Sequence, residues 1–257
     1  MYHSIACVPQ GVNVKLRGLY VTPRRFAQQM TLLRLFGYQG LSMAAAMPYL
    51  RGERQGRIVV ITFDDGYRDN LENALPTLQG HGFSATCYVV SDAIGGYNHW
   101  DSDVGSCPRK LLMDVADLRA WQKAGMEVGA HSRHHRKLPG CDNRELHDEV
   151  NGSRHQIEDL LGGGVTQFCY PYGVAGAREI DAVREAGFTA AVTTYRGRAR
   201  PGMSIYSLPR VTVSGNHSLH KLPLQLLTPY TDILGARSRN KCNTSSEPSG
   251  SPIPESS

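Results

Sequence analysis

The chain lacks any long apolar run. Its longest stretch, Ile58 to Phe63 with Thr62 tolerated inside it, falls far short of the about 18 residues a bilayer-spanning helix requires, so no transmembrane helix is expected. It lacks CxxC pairs. Cys7, Cys87, Cys107, Cys141, Cys169 and Cys242 lie far apart, which argues against a zinc ribbon or a disulfide scaffold and reads as ordinary thiols. A basic stripe is also missing: 28 Lys and Arg stand against 23 Asp and Glu, a net charge of +5, and the basic residues are scattered. Binding to nucleic acid, which needs clustered charge or a stacking platform, is not expected. No internal repeat is visible. The start, Met1-Tyr2-His3-Ser4-Ile5-Ala6, has no basic region, apolar stretch or small-residue cleavage site of a secretory signal. As written, the chain is expected to be cytoplasmic.

What is present suits an α/β domain. The 257 residues, 40% hydrophobic and 20% charged, are enough to bury a large core. Runs of β type at residues 2–8, 57–63, 84–90, 126–130, 166–170, 189–194 and 207–213 alternate with helical patterns at 23–36, 68–79, 114–124, 143–161 and 177–186. Such alternation signals β-α units around a parallel sheet, and about seven strands suit a barrel. Helix punctuation supports several boundaries: Pro23 after Thr22, Gly125 after Ala124, the Gly162-Gly163-Gly164 run and Gly187 after Ala186. Ser91 to Leu112 reads as a long excursion of the kind that often carries function. Residues 236–257 turn to Ser, Pro, Asn and charge without periodicity and read as a disordered tail behind a domain at residues 1–235.

Three polar clusters follow apolar strands. In Ile61-Thr62-Phe63-Asp64-Asp65-Gly66-Tyr67, two adjacent carboxylates repel each other unless a cation lies between them or one is protonated. A bound metal resolves the conflict, one carboxylate ligating and the other serving as general base; an Asp-Gly turn capping a helix at Arg68 also fits. In Gly129-Ala130-His131-Ser132-Arg133-His134-His135, a helical turn after His131 would put His131 and His135 on one side, with His134 pointing elsewhere. A surface or core histidine pair is the plainer alternative. Asp, His and His at two strand ends nonetheless match three protein ligands with an open position, the pattern of a catalytic metal. In Gln167-Phe168-Cys169-Tyr170-Pro171-Tyr172-Gly173, Tyr-Pro extends the backbone and the glycine permits close approach, which suits either a loop aiming a backbone N–H at an oxyanion or a turn packed by aromatics.

These motifs, Thr62-Phe63-Asp64-Asp65-Gly66, His131-Ser132-x-x-His135 and Tyr170-Pro171-Tyr172-Gly173, resemble in order and placement the polysaccharide deacetylases of carbohydrate esterase family 4, the NodB-homology domain. The likeness extends over Tyr2-His3-x-Ile5, Phe83-Ser84-Ala85-Thr86, Gly125 to Gly129 and Leu208-Pro209-Arg210, to about residue 213. It implies a distorted, incomplete (β/α) barrel with the site at the C-terminal strand ends. It further implies one divalent metal, usually zinc, on Asp65, His131 and His135, with Asp64 as general base. The backbone N–H of Tyr172 then stabilises the oxyanion as an N-acetylated sugar loses acetate.

The pattern is not complete. Many members carry an arginine that orients the base at the position held here by Cys169, and a Leu-x-His supplying the general acid, for which His217 and His220 are not correctly spaced. His3 is a replacement acid or a histidine satisfied by neighbouring backbone. His3, Trp100, Asp101 and Pro171 are the candidate substrate contacts, and Arg210 pairs either with a carboxylate near the site or with a surface acid. Related chains have several residues before Tyr-His-x-Ile, which leaves a later-than-natural start, and with it an export signal, open. The implied activity is metal-dependent N-deacetylation of an amino-sugar polysaccharide, oligosaccharide or glycolipid. Alternatives are an inactive carbohydrate-binding protein on the same scaffold, or a deformylase or deacetylase of a small or lipid-linked sugar.

Overall fold

The computed structural model describes residues 1–236. Two short parallel strands, β1 (Gln39–Leu41) and β2 (Ile58–Val60), pair with each other. After Ile61 the chain enters a six-stranded parallel sheet whose strands lie side by side in chain order: β3 (Thr62–Phe63), β4 (Thr86–Val89), β5 (Glu127–Ala130), β6 (Gln167–Cys169), β7 (Ala190–Arg196) and β8 (Leu208–Arg210). Because all run the same way, their C-terminal ends gather on one rim, where functional loops of β/α folds concentrate.

Helices cover the outside: α1 (Pro23–Leu35), α2 (Met43–Leu50), α3 (Leu75–Gly80), α4 (His99–Ser102), α5 (Val115–Lys123), α6 (Asn143–His147), α7 (Ser153–Leu161), α8 (Ala177–Glu185) and α9 (Lys221–Leu227). Their starts follow local chemistry. Thr22 accepts from the Arg25 N–H ahead of Pro23, and Asp114 with Asp117, like Asp142 with Glu145, forms a capping box. Two π-helical turns interrupt the helical regularity, at Asn70–Ala74 before α3 and at Asp148–Gly152 between α6 and α7. The first precedes Pro76, which has no N–H to donate to the Glu72 carbonyl, so the turn widens. Tyr2, Phe26, Phe63 and Trp121 pack edge to face or tilted at centroid distances of 5.2–5.9 Å in the main core. No helix among the described residues is long and apolar enough to cross a membrane.

The distorted α/β barrel holds, with three differences. Residues 2–8 do not form a strand. Tyr2 makes a single bridge to Phe63, donating to the Thr62 carbonyl at 2.8 Å and accepting from the Asp64 N–H at 3.0 Å, while Val213 donates to the Met1 carbonyl. This short segment therefore stitches β3 to the chain beyond β8, and the main sheet has six strands rather than seven. The expected strand at 57–63 is broken at Ile61 into β2 and β3. The third difference is four elements without a forecast, β1, α2, α9 and the short α4 inside the excursion at 91–112. The expected tail at 236–257 lies, apart from Ala236, outside the described residues.

Candidate active site

Four non-glycine residues among those described have positive φ: Asp65 (73°), Ser132 (61°), His135 (58°) and Tyr172 (58°). Each costs about 1–3 kcal/mol of backbone strain, and all four lie in the three strand-end motifs. Strain is thus concentrated at one place on the rim.

Beyond β3, Asp64 and Asp65 are 2% and 4% exposed. The left-handed turn at Asp65 and Gly66 (φ 78°) sends the two carboxylates in different directions. Asp64 meets Arg210 from β8, whose Nη1 and Nη2 donate to Oδ1 and Oδ2 at 2.7 Å each. The guanidinium is itself buried, held by the Thr193 carbonyl at 2.7 Å and by Thr62 Oγ1 and the Cys169 sulfur at 3.2 Å each. Burial pushes the Asp64 carboxyl up; the charge and hydrogen bonds of Arg210 more than offset it, bringing it to about 2. An arginine does pair with Asp64, supplied by β8 instead of by the position of Cys169. Of the two partners open to Arg210, the one found is the site carboxylate.

Asp65 faces the histidines. Its Oδ1 lies 3.4 Å from His131 Nε2 and 3.5 Å from His135 Nε2. His131 Nδ1 is 2.7 Å from the Cys169 carbonyl, which fixes that nitrogen as an N–H and leaves Nε2 as the ring atom facing Asp65. The segment after His131 is not the expected helical turn. It loops through left-handed Ser132 and His135, with the His135 N–H donating to Ser132 Oγ at 3.0 Å, and still brings the two rings within 4.9 Å. His134 points away, Nδ1 against Glu149 at 2.8 Å.

One ligand atom each from Asp65, His131 and His135 lies within 4.8 Å of the others, all three residues being buried. Two donors at zinc distances of about 2.0–2.1 Å in tetrahedral geometry are themselves roughly 3.3–3.5 Å apart. The Asp65 to histidine separations match that spacing, so the donor set fits a divalent ion. Without one, burial would raise the Asp65 carboxyl, but the two histidines hold it well below its ordinary value.

The mouth is aromatic. Trp100 stacks on His135 at 4.6 Å, and Tyr172 meets the same His135 ring edge-on at 4.8 Å, with Lys137 Nζ 5.3 Å from the Tyr172 ring. Tyr172 is 44% exposed, whereas Pro171 beside it is buried. Gly173 (φ 72°) is required here, because a Cβ would fall 2.0 Å from Thr194 Oγ1. His3 lies on the other side, Nε2 3.9 Å from Asp64 Oδ2. Asp101, on α4 beside Trp100, has its carboxyl raised to about 6 by burial and by the charge of Asp65.

The profile of the polysaccharide deacetylase family matches residues 51–191. The chain belongs to that family. It is similar to YxkH of Bacillus subtilis, 27% identical over 216 residues that cover 83% of this chain and 70% of that protein. It is also similar to the poly-beta-1,6-N-acetyl-D-glucosamine N-deacetylase of Staphylococcus epidermidis, 23% identical, covering 79% of this chain and 71% of that one. The fold is shared with Streptococcus pyogenes deacetylase PplD, solved in complex with acetate, at a TM-score of 0.74 and 22% identity over 88% of this chain and 96% of the other. As a polysaccharide deacetylase, the protein is a hydrolase of non-peptide carbon-nitrogen bonds.

The site of this deacetylase thus brings together Asp64, Asp65, His131 and His135, with His3 and Tyr172 at its edge and Trp100 against a histidine. His217 is engaged elsewhere: its Nδ1 lies 3.3 Å from the Ser214 N–H and its Nε2 2.8 Å from Lys221 Nζ. Glu149 was not singled out from the sequence. Its signal was an acid spaced by helical periodicity among Leu146, Val150, Ser153 and Ile157, the buried face of the α6 to α7 segment.

Proposed function

We propose that this deacetylase removes N-acetyl groups from an amino-sugar glycan, with Asp65, His131 and His135 holding one divalent cation, zinc by donor type, and Asp64 serving as general base. The observation that carries the reading is the pairing of two differently tuned carboxylates on adjacent residues: Asp65 faces two imidazoles, and Asp64 is kept ionised by a fork of arginine hydrogen bonds. When bound, the cation supplies Lewis-acid polarisation of the amide carbonyl and acidifies water.

The chain supplies the remaining chemistry. Asp64 accepts a proton from the attacking water, and a carbon-oxygen bond forms at the acetamide carbonyl carbon. Tyr172, held left-handed after Pro171, offers its backbone N–H to the developing oxyanion. His3, next to Asp64, donates a proton to the nitrogen as the carbon-nitrogen bond breaks, releasing acetate and a free amine. Trp100 and Asp101 shape the sugar contact, the exposed ring of Tyr172 gives a face for a pyranose, and Pro171, expected as a contact, is buried and instead sets the turn beneath Tyr172. Poly-β-1,6-N-acetylglucosamine, named for the staphylococcal relative, is the first substrate to assay. The inactive-scaffold alternative rested on Cys169 and the absent terminal histidine; Arg210 and His3 supply a group in place of each.

The test is Asp64→Asn against His131→Ala. The first should keep the metal and lose about 10²–10⁴-fold in acetate release; the second should lose the metal. Full activity in Asp64→Asn, or stoichiometric metal in His131→Ala, would overturn the corresponding role.

A further inference from the structure

The two histidines of the site are secured differently. His131 is fixed twice, its N–H donating to the Val89 carbonyl at 2.8 Å and its Nδ1 pairing with the Cys169 carbonyl at 2.7 Å. His135 is not. Its Nδ1 is buried with no hydrogen-bond partner, so beyond the Nε2 contact with Asp65 the ring is placed by packing against His131, Trp100 and Tyr172 and by the path of its own backbone. That path runs through two left-handed residues, Ser132 and His135, and a strained turn persists only if its surroundings hold it.

One side chain does most of the holding. Glu149, 2% exposed, sits in the π-helical turn between α6 and α7. Its Oε2 accepts both consecutive N–H groups in the middle of the turn, from Arg133 at 3.0 Å and His134 at 2.9 Å. Its Oε1 lies 2.8 Å from His134 Nδ1. Across the turn the Ser91 and Asp92 N–H groups donate to the carbonyls of Ser132 and Arg133 at 3.2 and 3.1 Å, clamping it from the β4 side. Hydrogen bonds from backbone N–H groups to a buried carboxylate are charge-assisted and about twice as strong as neutral ones.

We propose that Glu149 is a positioning residue for the metal site: by fixing the turn between the two histidine ligands it presets His135 Nε2 against Asp65 and so sets metal affinity. This rests on the metal-site reading given above. It also assigns a purpose to His134, whose imidazole braces the same carboxylate.

The experiment is a zinc titration against a competing chromophoric chelator on the full chain, for the parent, Glu149→Ala, Glu149→Gln and His134→Ala, with circular dichroism of the metal-free proteins as the check of folding. Substitutions in the hydrogen-bonded support of metal ligands typically weaken binding about 10–100-fold. Glu149→Ala should lie near the top of that range and Glu149→Gln, which keeps one acceptor oxygen, near the bottom. His134→Ala, altering a side chain 40% exposed, should fold and lose about 3–10-fold, below the full effect of losing the carboxylate. Saturating zinc should restore turnover in each folded variant, which a general loss of structure would not allow. Parental zinc affinity in a folded Glu149 variant, or in His134→Ala if neither Glu149 variant folds, would overturn the proposal. A parent that binds no zinc would instead overturn the metal-site reading.

Discussion

Arg210 and Asp64, 146 positions apart, form a two-pronged ion pair with both contacts at 2.7 Å and both residues less than a tenth exposed. The pair ties the last sheet strand to the first at the carboxylate proposed as general base. Burial is the largest influence on the Asp64 carboxyl and acts upward, so its low value, about 2, depends on the guanidinium.

Removing that guanidinium should expose the dependence. In Arg210→Gln the base carries burial uncompensated, and the acid limb of kcat/KM should move up by about 1–3 pH units, because Asp64 works only when ionised. Breaking a buried pair from one side should also cost about 3–5 kcal/mol of stability. A pH-rate profile superimposable on the parent's would show that Asp64 does not rely on Arg210.

The same pair predicts a stability profile. A carboxyl depressed in the folded state stabilises it above the unfolded value of 3.8, and that stabilisation is lost as pH falls toward about 2. The difference corresponds to about 2 kcal/mol. Asp64→Asn should therefore lose its stability disadvantage relative to the parent as pH drops from 5 to 2, measured by urea unfolding.

Asp101 runs with the opposite sign. Its carboxyl is raised to about 6, first by burial and then by the charge of Asp65, so ionising it between about 4 and 6 disfavours the folded state. Asp101→Asn should match the parent's melting temperature near pH 4 and exceed it above pH 7. An Asn variant less stable than the parent at pH 8 would contradict a carboxyl raised by burial and by the charge of Asp65.

Gly173 provides a test of the third motif. An added Cβ would approach Thr194 Oγ1 and its backbone N at 2.0 and 2.3 Å, so Gly173→Ala must move the turn that carries the Tyr172 N–H. Loss of an oxyanion donor costs about 10²–10³ in kcat. The expected outcome is that loss with metal content unchanged; parental kcat would remove Tyr172 from the mechanism.

Much of this was readable in the sequence, and the boundary has physical causes. Asp64, Asp65, His131 and His135 stand out because each follows an apolar run that ends at the rim, and strand ends in a parallel sheet converge whatever the helices between them do. The first segment differs because Tyr2 and Ser4 look like strand residues, yet Tyr2 bridges only Phe63 and Ser4 only Tyr20, single bridges to two different neighbours that form no ladder. β1 was hidden by its length, three residues with a glycine at the centre. The turn after His131 read as helix from its spacing of four; Ser132 Oγ and Glu149 instead stabilise left-handed residues there. Arg210 is a charge inside the apolar run Leu208 to Val213, which marks a buried partner without saying which one. Only the sheet order, bringing the last strand round to the first, identifies it as Asp64.

The central claim, a single catalytic cation on Asp65, His131 and His135, is tested most directly by elemental analysis of the purified chain, with acetate release from N-acetylglucosamine oligomers followed on the same sample before and after chelation. About one divalent ion per chain is expected, with acetate release abolished by chelator and restored by zinc. A chain that takes up no metal after zinc addition, or that releases acetate equally well with the metal stripped, would contradict it.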